Sequence, residues 1–210
     1  DLSAGYDNAT RQVDVALLLE EDAGGLAANA LGLPGAPAVR LAIEGSDPID
    51  DFTAEIALSS NGRPRLTGTV TTALAADTGV RDITARLDGD ITPLVLPAYR
   101  DFFGPDVGLT SRVRLLPDGA VALDALELRA AALTLSGDAE IAAGGRPEAF
   151  SLTGRIAGTG GATRVRLPVP DAEVTVGSAD LVLDYDRGAG DSYTAEITAD
   201  ALALGPATVD

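Results

Sequence analysis

Through most of this chain an apolar residue stands at nearly every second position, in stretches such as RQVDVALLLE, AVRLAIEG, DFTAEIALSS, VRDITARLDGD, EAFSLTGRIAG and ATRVRLPVP. A pleated strand sends successive side chains to opposite faces, so a period of two predicts strands with one apolar and one wet face. Turn formers separate the runs: Asn61-Gly62, Asp88-Gly89, Pro117-Asp118-Gly119, Gly144-Gly145 and Gly158 to Gly161. Connections this short join antiparallel neighbours, because parallel strands need long crossovers. The expected class is all-β, with strands near 12–20, 38–45, 51–59, 65–73, 81–88, 111–117, 120–129, 131–142, 149–157, 163–169, 172–178, 180–186 and 192–204.

Two segments break the alternation. Gly24 to Pro34 can form a short helix with Leu26, Ala30 and Leu33 on one side. Thr92 to Pro105 is expected to turn helically at Thr92-Pro93, again at Pro97, and to stop at Gly104-Pro105. Tyr99, Phe102 and Phe103 crowd into this second segment, which suits it to capping an apolar surface.

Composition narrows the function. Hydrophobic residues make up 46% but aromatics only 4%, so the apolar surface is aliphatic. His, Cys, Met and Trp are absent, which removes the usual general base, the soft metal ligands and the strongest nucleophile, and the reading is of a protein that is not an enzyme. The net charge of −17 repels nucleic acid and gives no basic patch for an anionic bilayer. The chain begins at Asp1 and has no Met, which reads as an excised or processed piece, treated as a single segment 1–210. Its longest charge-free run, Ala23 to Val39, carries several Gly and Pro and is no membrane span.

Local motifs with chemical potential have plainer explanations. Asp88-Gly89-Asp90, and Asp184-Tyr185-Asp186 with Asp191, offer oxygen ligands for a hard cation but lack the spacing of a calcium loop; Asp and Gly at turns explain them. Asp50-Asp51 and Glu20-Glu21-Asp22 are acidic pairs without the aromatic cleft of a glycosidase. Gly158 to Thr163 has the glycines of a phosphate loop but not its Lys. No metal or cofactor is expected.

Two internal echoes occur. Gly62-Arg63-Pro64 with Leu66-Thr67-Gly68 recurs as Gly145-Arg146-Pro147 with Leu152-Thr153-Gly154, and Phe52 to Ile56 recurs as Tyr193 to Ile197. Their offsets differ, so they read as hairpins of similar make rather than a repeat array.

The candidate site is the apolar stripe itself. Its members are Val13, Val15, Leu17, Val39, Leu41, Ile43, Phe52, Ile56, Leu66, Val70, Ile83, Leu87, Val113, Leu115, Leu133, Leu135, Phe150, Leu152, Ile156, Val165, Leu167, Val174, Val176, Leu181, Leu183, Tyr193 and Ile197. Asp14, Arg40, Glu55, Arg86, Arg114, Thr153 and Glu196 are expected on the opposite side. Alternation alone fits either a closed sandwich core or an open groove.

The runs 24–58, 87–104 (LDGDITPLVLPAYRDFFG) and 133–141 (LTLSGDAEI) resemble the TamB proteins, inner-membrane subunits of the translocation and assembly module of Gram-negative bacteria, within the AsmA-like group of bridge-like lipid transporters. The resemblance covers roughly residues 12 to 160. It implies an elongated, curved antiparallel sheet, taco-shaped in section, with a hydrophobic concave groove. It further implies a periplasmic location with an inner-membrane anchor outside this segment, phospholipid acyl chains as cargo, and an Omp85-type outer-membrane barrel, TamA, as partner of the parent chain. The implied role is phospholipid movement between membranes and outer-membrane protein assembly. The alternative is a structural or adhesive sandwich or solenoid module with a closed core.

Overall fold

A computed structural model describes residues 1–170, 172–190 and 192–205. Strands make up 59% of it, far above the ~20–25% of ordinary globular proteins. In chain order they are β1 (Leu2–Asp7), β2 (Gln12–Glu21), β3 (Val39–Pro48), β4 (Asp51–Ser60), β5 (Arg63–Leu74), β6 (Arg81–Gly89), β7 (Val107–Leu115), β8 (Val121–Arg129), β9 (Leu133–Ile141), β10 (Pro147–Ala157), β11 (Val165–Arg166), β12 (Val174–Val176), β13 (Ser178–Asp186), β14 (Ser192–Asp200) and β15 (Ala203–Leu204). Twelve of them, β1 to β10 followed by β13 and β14, form one open antiparallel sheet in sequence order. At the usual ~4.8 Å spacing between strands the sheet is roughly 53 Å across. The remaining three, β11, β12 and β15, make a small separate sheet.

Several strand expectations are corrected. β1 was not anticipated, and β7 begins at Val107 rather than 111. The runs 163–169 and 172–178 shrink to β11 and β12, because Pro168 and Pro170 cannot donate to a ladder. The run 192–204 splits into β14 and β15 at Ala201, whose φ of 53° breaks the extended backbone.

The connections segregate by rim. One rim carries only tight turns: 8–11, 49–50, 75–80, 116–120, 142–146 and the turn through Arg187–Ala189. The other carries the long inserts 22–38, 90–106 and 158–177, with the short turns Asn61-Gly62 and 130–132 between them. The first insert holds α1 (Leu26–Ala30). The second runs through 3-10 turns at Thr92–Leu94 and Pro97–Tyr99 into α2 (Arg100–Phe103). Gly104 ends α2 at a φ of 65°, a conformation that penalises any side chain, and a Cβ there would also overlap that of Ala131.

This layout is a repeat, which corrects the expectation of hairpins of similar make without a repeat array. Inserts 22–38 and 90–106 are equal in length, and each leads into four strands, β3–β6 and β7–β10. Each also bonds forward to the next short turn. Ala38 exchanges bonds with Asn61, through the Asn61 N–H (2.9 Å) and the Asn61 Oδ1 (3.1 Å). The carbonyls of Phe103 and Phe102 accept from the amides of Ala131 (2.8 Å) and Ala132 (2.9 Å). The insert 158–177 then opens a third unit, of which β13 and β14 are the first two strands. The echo of Phe52 to Ile56 in Tyr193 to Ile197 is thus a true equivalence, since β4 and β14 are both second strands of a unit. The other echo is not: the Asn61-Gly62 and Gly144-Gly145 turns lie on opposite rims.

Candidate functional site: the apolar face

Cross-strand register decides which side chains share a face, because partners in a ladder point the same way. One row runs through all twelve strands: Leu2, Leu17, Ile43, Ile56, Gly68, Leu87, Leu109, Leu128, Leu135, Gly154, Leu181 and Ile197. Every member is aliphatic or glycine. A second row nearer the turn rim links Phe52, Thr72, Ile83, Val113, Leu123, Ala139, Phe150, Tyr185 and Tyr193. Phe150 and Tyr185 stack there with ring centroids 5.4 Å apart.

Of the residues expected on this stripe, all those on β2 to β7, β9, β10, β13 and β14 fall on the one apolar face. Four do not. All four lie within the third insert: Val165 on β11, Leu167 just after it and bonded through its amide to the Val174 carbonyl, and Val174 and Val176 on β12, in or beside the small sheet and not on the large one. Val165 and Leu167 still reach the site, packing with Phe102, Phe103 and Ala132 against Leu133 and Ile156 at the insert rim. The second and third inserts therefore overhang one end of the face, as the aromatic cluster of the second suggested. They are tied together by the Tyr99 hydroxyl donating to the Val169 carbonyl (3.0 Å) and by Arg166 lying 5.9 Å from the Tyr99 ring centroid.

Other members were missed: Leu109 and Val107 because β7 starts early, Leu2 and Tyr6 because β1 was overlooked, and Val121, Leu123, Leu126 and Leu128 on β8. In β8 the alternation changes phase between Leu123 and Leu126. A bulge absorbs the change: Arg112 pairs with Ala125 but Val113 with Leu123, which leaves Asp124 as the extra residue. All four β8 side chains consequently reach the apolar face. The phase break in VALDALELR was the available signal.

The face is sheltered but not sealed. Away from the rims and edges its large side chains are half-buried by one another, and among the candidates on the main sheet only Val39 is buried. Gly68 shows how closely the layer fits: a Cβ there would overlap the Arg86 carbonyl oxygen and come within 2.7 Å of the Leu87 Cδ2. Glycines at such close approaches let a sheet coil instead of lying flat.

The opposite face is polar. Its equivalent row is Glu44, Glu55, Thr69, Arg86, Thr110, Glu127, Ser136, Thr153, Val182 and Glu196, and Asp14, Arg40 and Arg114 lie on the same side. A hollow over β7 to β10 and β13 is lined by residues that include Thr110, Arg129, Ser136, Arg155 and Asp180. Arg129 faces Asp88 at 3.9 Å and Arg155 faces Asp180 at 3.1 Å, so acidic neighbours already answer its cations. Arg114 and Asp124 form a bidentate pair, both contacts at 2.6 Å, across the β8 bulge. Hydrogen bonding from Arg114 holds the Asp124 carboxyl below the usual carboxylate range.

The acidic motifs serve turns. Asp90 accepts from the Thr92 amide (2.9 Å) and hydroxyl, which lowers its pKa, and Asp186 accepts from the Gly188 amide (2.7 Å). Asp191 lies outside the described residues. Among the described residues no three carboxylates gather as a metal site, and no helix is long and apolar enough to cross a membrane. Comparison with protein-family models, curated proteins and solved structures finds no match to this chain.

Proposed function

We propose that this chain is a non-enzymatic segment whose apolar face shelters phospholipid acyl chains, as one section of a periplasmic path between inner and outer membranes that also serves outer-membrane protein assembly. The observation that carries the reading is the row of aliphatic residues and glycines running unbroken through twelve strands. Along that row no polar side chain has to be desolvated as a chain slides past, and each methylene taken out of water contributes about 0.8 kcal/mol. The open side leaves a headgroup in water, and the polar face keeps the apolar body dispersed. The resemblance to TamB adds the setting: an anchor and an Omp85-type partner, TamA, reached through other parts of a parent chain. A structural module with a closed core would need a second layer over the face, and the described residues supply one only at the insert rim.

The test is mass spectrometry of lipid extracted from the purified chain, beside two neighbouring variants. Leu109→Asp puts a carboxylate in the middle of the apolar row, while Thr110→Asp puts it on the polar face. The expected result is bound phospholipid in the parent chain and in Thr110→Asp, and its loss in Leu109→Asp with strand content retained. Absence of lipid from the parent chain, or equal lipid in a folded Leu109→Asp, overturns the proposal.

A further inference from the structure

Where the second and third inserts meet, they enclose a cleft of about 770 Å³. Its lining includes Phe102 and Val165, which also pack with Leu133 and Ile156 at the end of the apolar face. Three more of its lining residues are arginines: Arg100 of α2, Arg164 directly after the glycine-rich run 158–163, and Arg166 of β11. In a chain of net charge −17 such a gathering runs against the general field. The first insert, equal in length to the second, has no basic residue, so the gathering belongs to this place and not to the repeat.

These cations are only partly answered. Arg166 meets Glu173 at 3.3 Å and lies over the Tyr99 ring, yet its Nε is buried without an acceptor. The Arg100 Nε donates to the Thr92 carbonyl (3.0 Å), which fixes that side chain and leaves its terminal nitrogens unused. Among the described residues neither Arg100 nor Arg164 forms an ion pair, whereas Arg129 and Arg155 in the polar-face hollow each face a carboxylate. Two carboxylates, Asp101 and Glu173, stand in the cleft against the three arginines.

We infer that this cleft binds a phosphate ester, its oxygens met by the guanidinium groups of Arg100, Arg164 and Arg166. A guanidinium presents paired donors that match two oxygens of a phosphate. Cations brought in from three separate segments suit a tetrahedral anion better than a flat carboxylate, and the hydroxyl-bearing Thr159 and Thr175 also line the cleft. Its volume is that of a small-ligand pocket, which leaves room for the organic part of an ester beside the phosphate. The run 158–163 lacks the Lys of a phosphate loop, but Arg164 at its end supplies a cation in its place. The site itself is argued from charge and cavity; only its use by a lipid headgroup rests on the acyl-chain reading, in which Phe102 and Val165 join the cleft to the apolar face.

The experiment is titration calorimetry at low salt with two probes, inorganic phosphate and dihexanoyl phosphatidylglycerol below its micelle concentration. The parent chain is compared with Arg100→Gln, Arg164→Gln and Asp101→Asn, and with Arg40→Gln, which removes an exposed arginine of the polar face as a control for net charge. Arg164 is exposed and without an ion pair, so its substitution should leave strand content and thermal unfolding unchanged. Expected is binding of both probes to the parent chain and to Arg40→Gln, and binding about tenfold weaker to Arg100→Gln and to Arg164→Gln, the loss of one charge-assisted hydrogen bond. Asp101→Asn, which removes an opposing charge, should bind more tightly. Phosphatidylglycerol bound more tightly than inorganic phosphate would make a lipid headgroup the source of the ester, and equal affinities a soluble phosphate; either agrees with the site. Binding of neither probe to the parent chain, or an equal loss in Arg40→Gln, overturns it. Phosphate binding that depends on Arg164 in a chain carrying no extractable lipid would keep this site and reject the acyl-chain reading. Extractable lipid with no binding of inorganic phosphate, and no effect of Arg100→Gln or Arg164→Gln, would reject this site alone.

Discussion

At the scale of single residues, glycines set how closely the apolar layer packs. Gly68 lies in the long row, where the backbone of β6 and the Leu87 side chain occupy the place of a Cβ. Gly68→Val adds an apolar side chain to an apolar face, so hydrophobicity alone would favour it. Overlap with a backbone carbonyl outweighs that gain, and a loss of about 2–3 kcal/mol is expected in denaturant unfolding. Thr67→Val, one position away on the polar face, is the control and should cost far less. The Arg114–Asp124 pair makes a pH-dependent statement instead. Because the Asp124 pKa is lowered in the folded chain, its stabilisation is present above the unfolded carboxylate value, ~3.9, and is lost as pH falls through the folded value. Asp124→Asn should therefore be less stable than the parent chain at neutral pH, and the two should converge in acid. A difference that persists at low pH would mean that the bulge, not the charge, needs Asp124.

At the scale of elements, β8 shows why part of the site was legible and part was not. Strict alternation in β3, β4 and β6 placed Ile43, Ile56 and Ile83 on the right face, because a period of two leaves no choice once one face is buried. β8 breaks that period, so its four apolar residues could be placed only after the ladder had shown the bulge at Asp124. Deleting Ala125 would leave one residue between Leu123 and Leu126, which is strict alternation, so the bulge should vanish with Leu126 and Leu128 still on the apolar face. A spin label at position 128 is expected to stay as sheltered from water as in the parent chain, and greater accessibility would show that the bulge itself is needed to place the strand. The inserts were legible in kind but not in function. Turn and cap residues foretold the helical turns of 92–105, whereas the packing of Phe102 against Ala132 and Val165 joins segments far apart in sequence. Phe102 is 4% exposed, and Phe102→Ala is expected to cost about 3 kcal/mol, the lower end for a buried phenylalanine. Its mark should be loss of protection at Ala131 and Ala132, whose amides bond to α2.

At the scale of the whole molecule, the described strands make their extensive contacts with their sheet neighbours. The extensive contacts run β1 to β2, β2 to β3 and onward to β13 and β14, while the inserts add smaller local ones. Stability in such an array is a sum of strand and neighbour terms, as in solenoids, and not the property of one central core. The period behind this was hidden from sequence reading because only backbone positions repeat: Val39 and Leu41 of β3 return as Val107 and Leu109 of β7, but most side chains between them change. A break in one unit should therefore leave the other standing. Glu127→Pro in β8 removes a backbone donor from the interior of the sheet, where proline is poorly tolerated. Hydrogen exchange is expected to show loss of protection in β7 to β10 with β3 to β6 retained, and thermal unfolding should separate into two steps. In a single cooperative domain the same variant would melt every strand together. One uniform loss of protection would show that curvature and inserts couple the units into one core, and would count against an apolar face that works section by section.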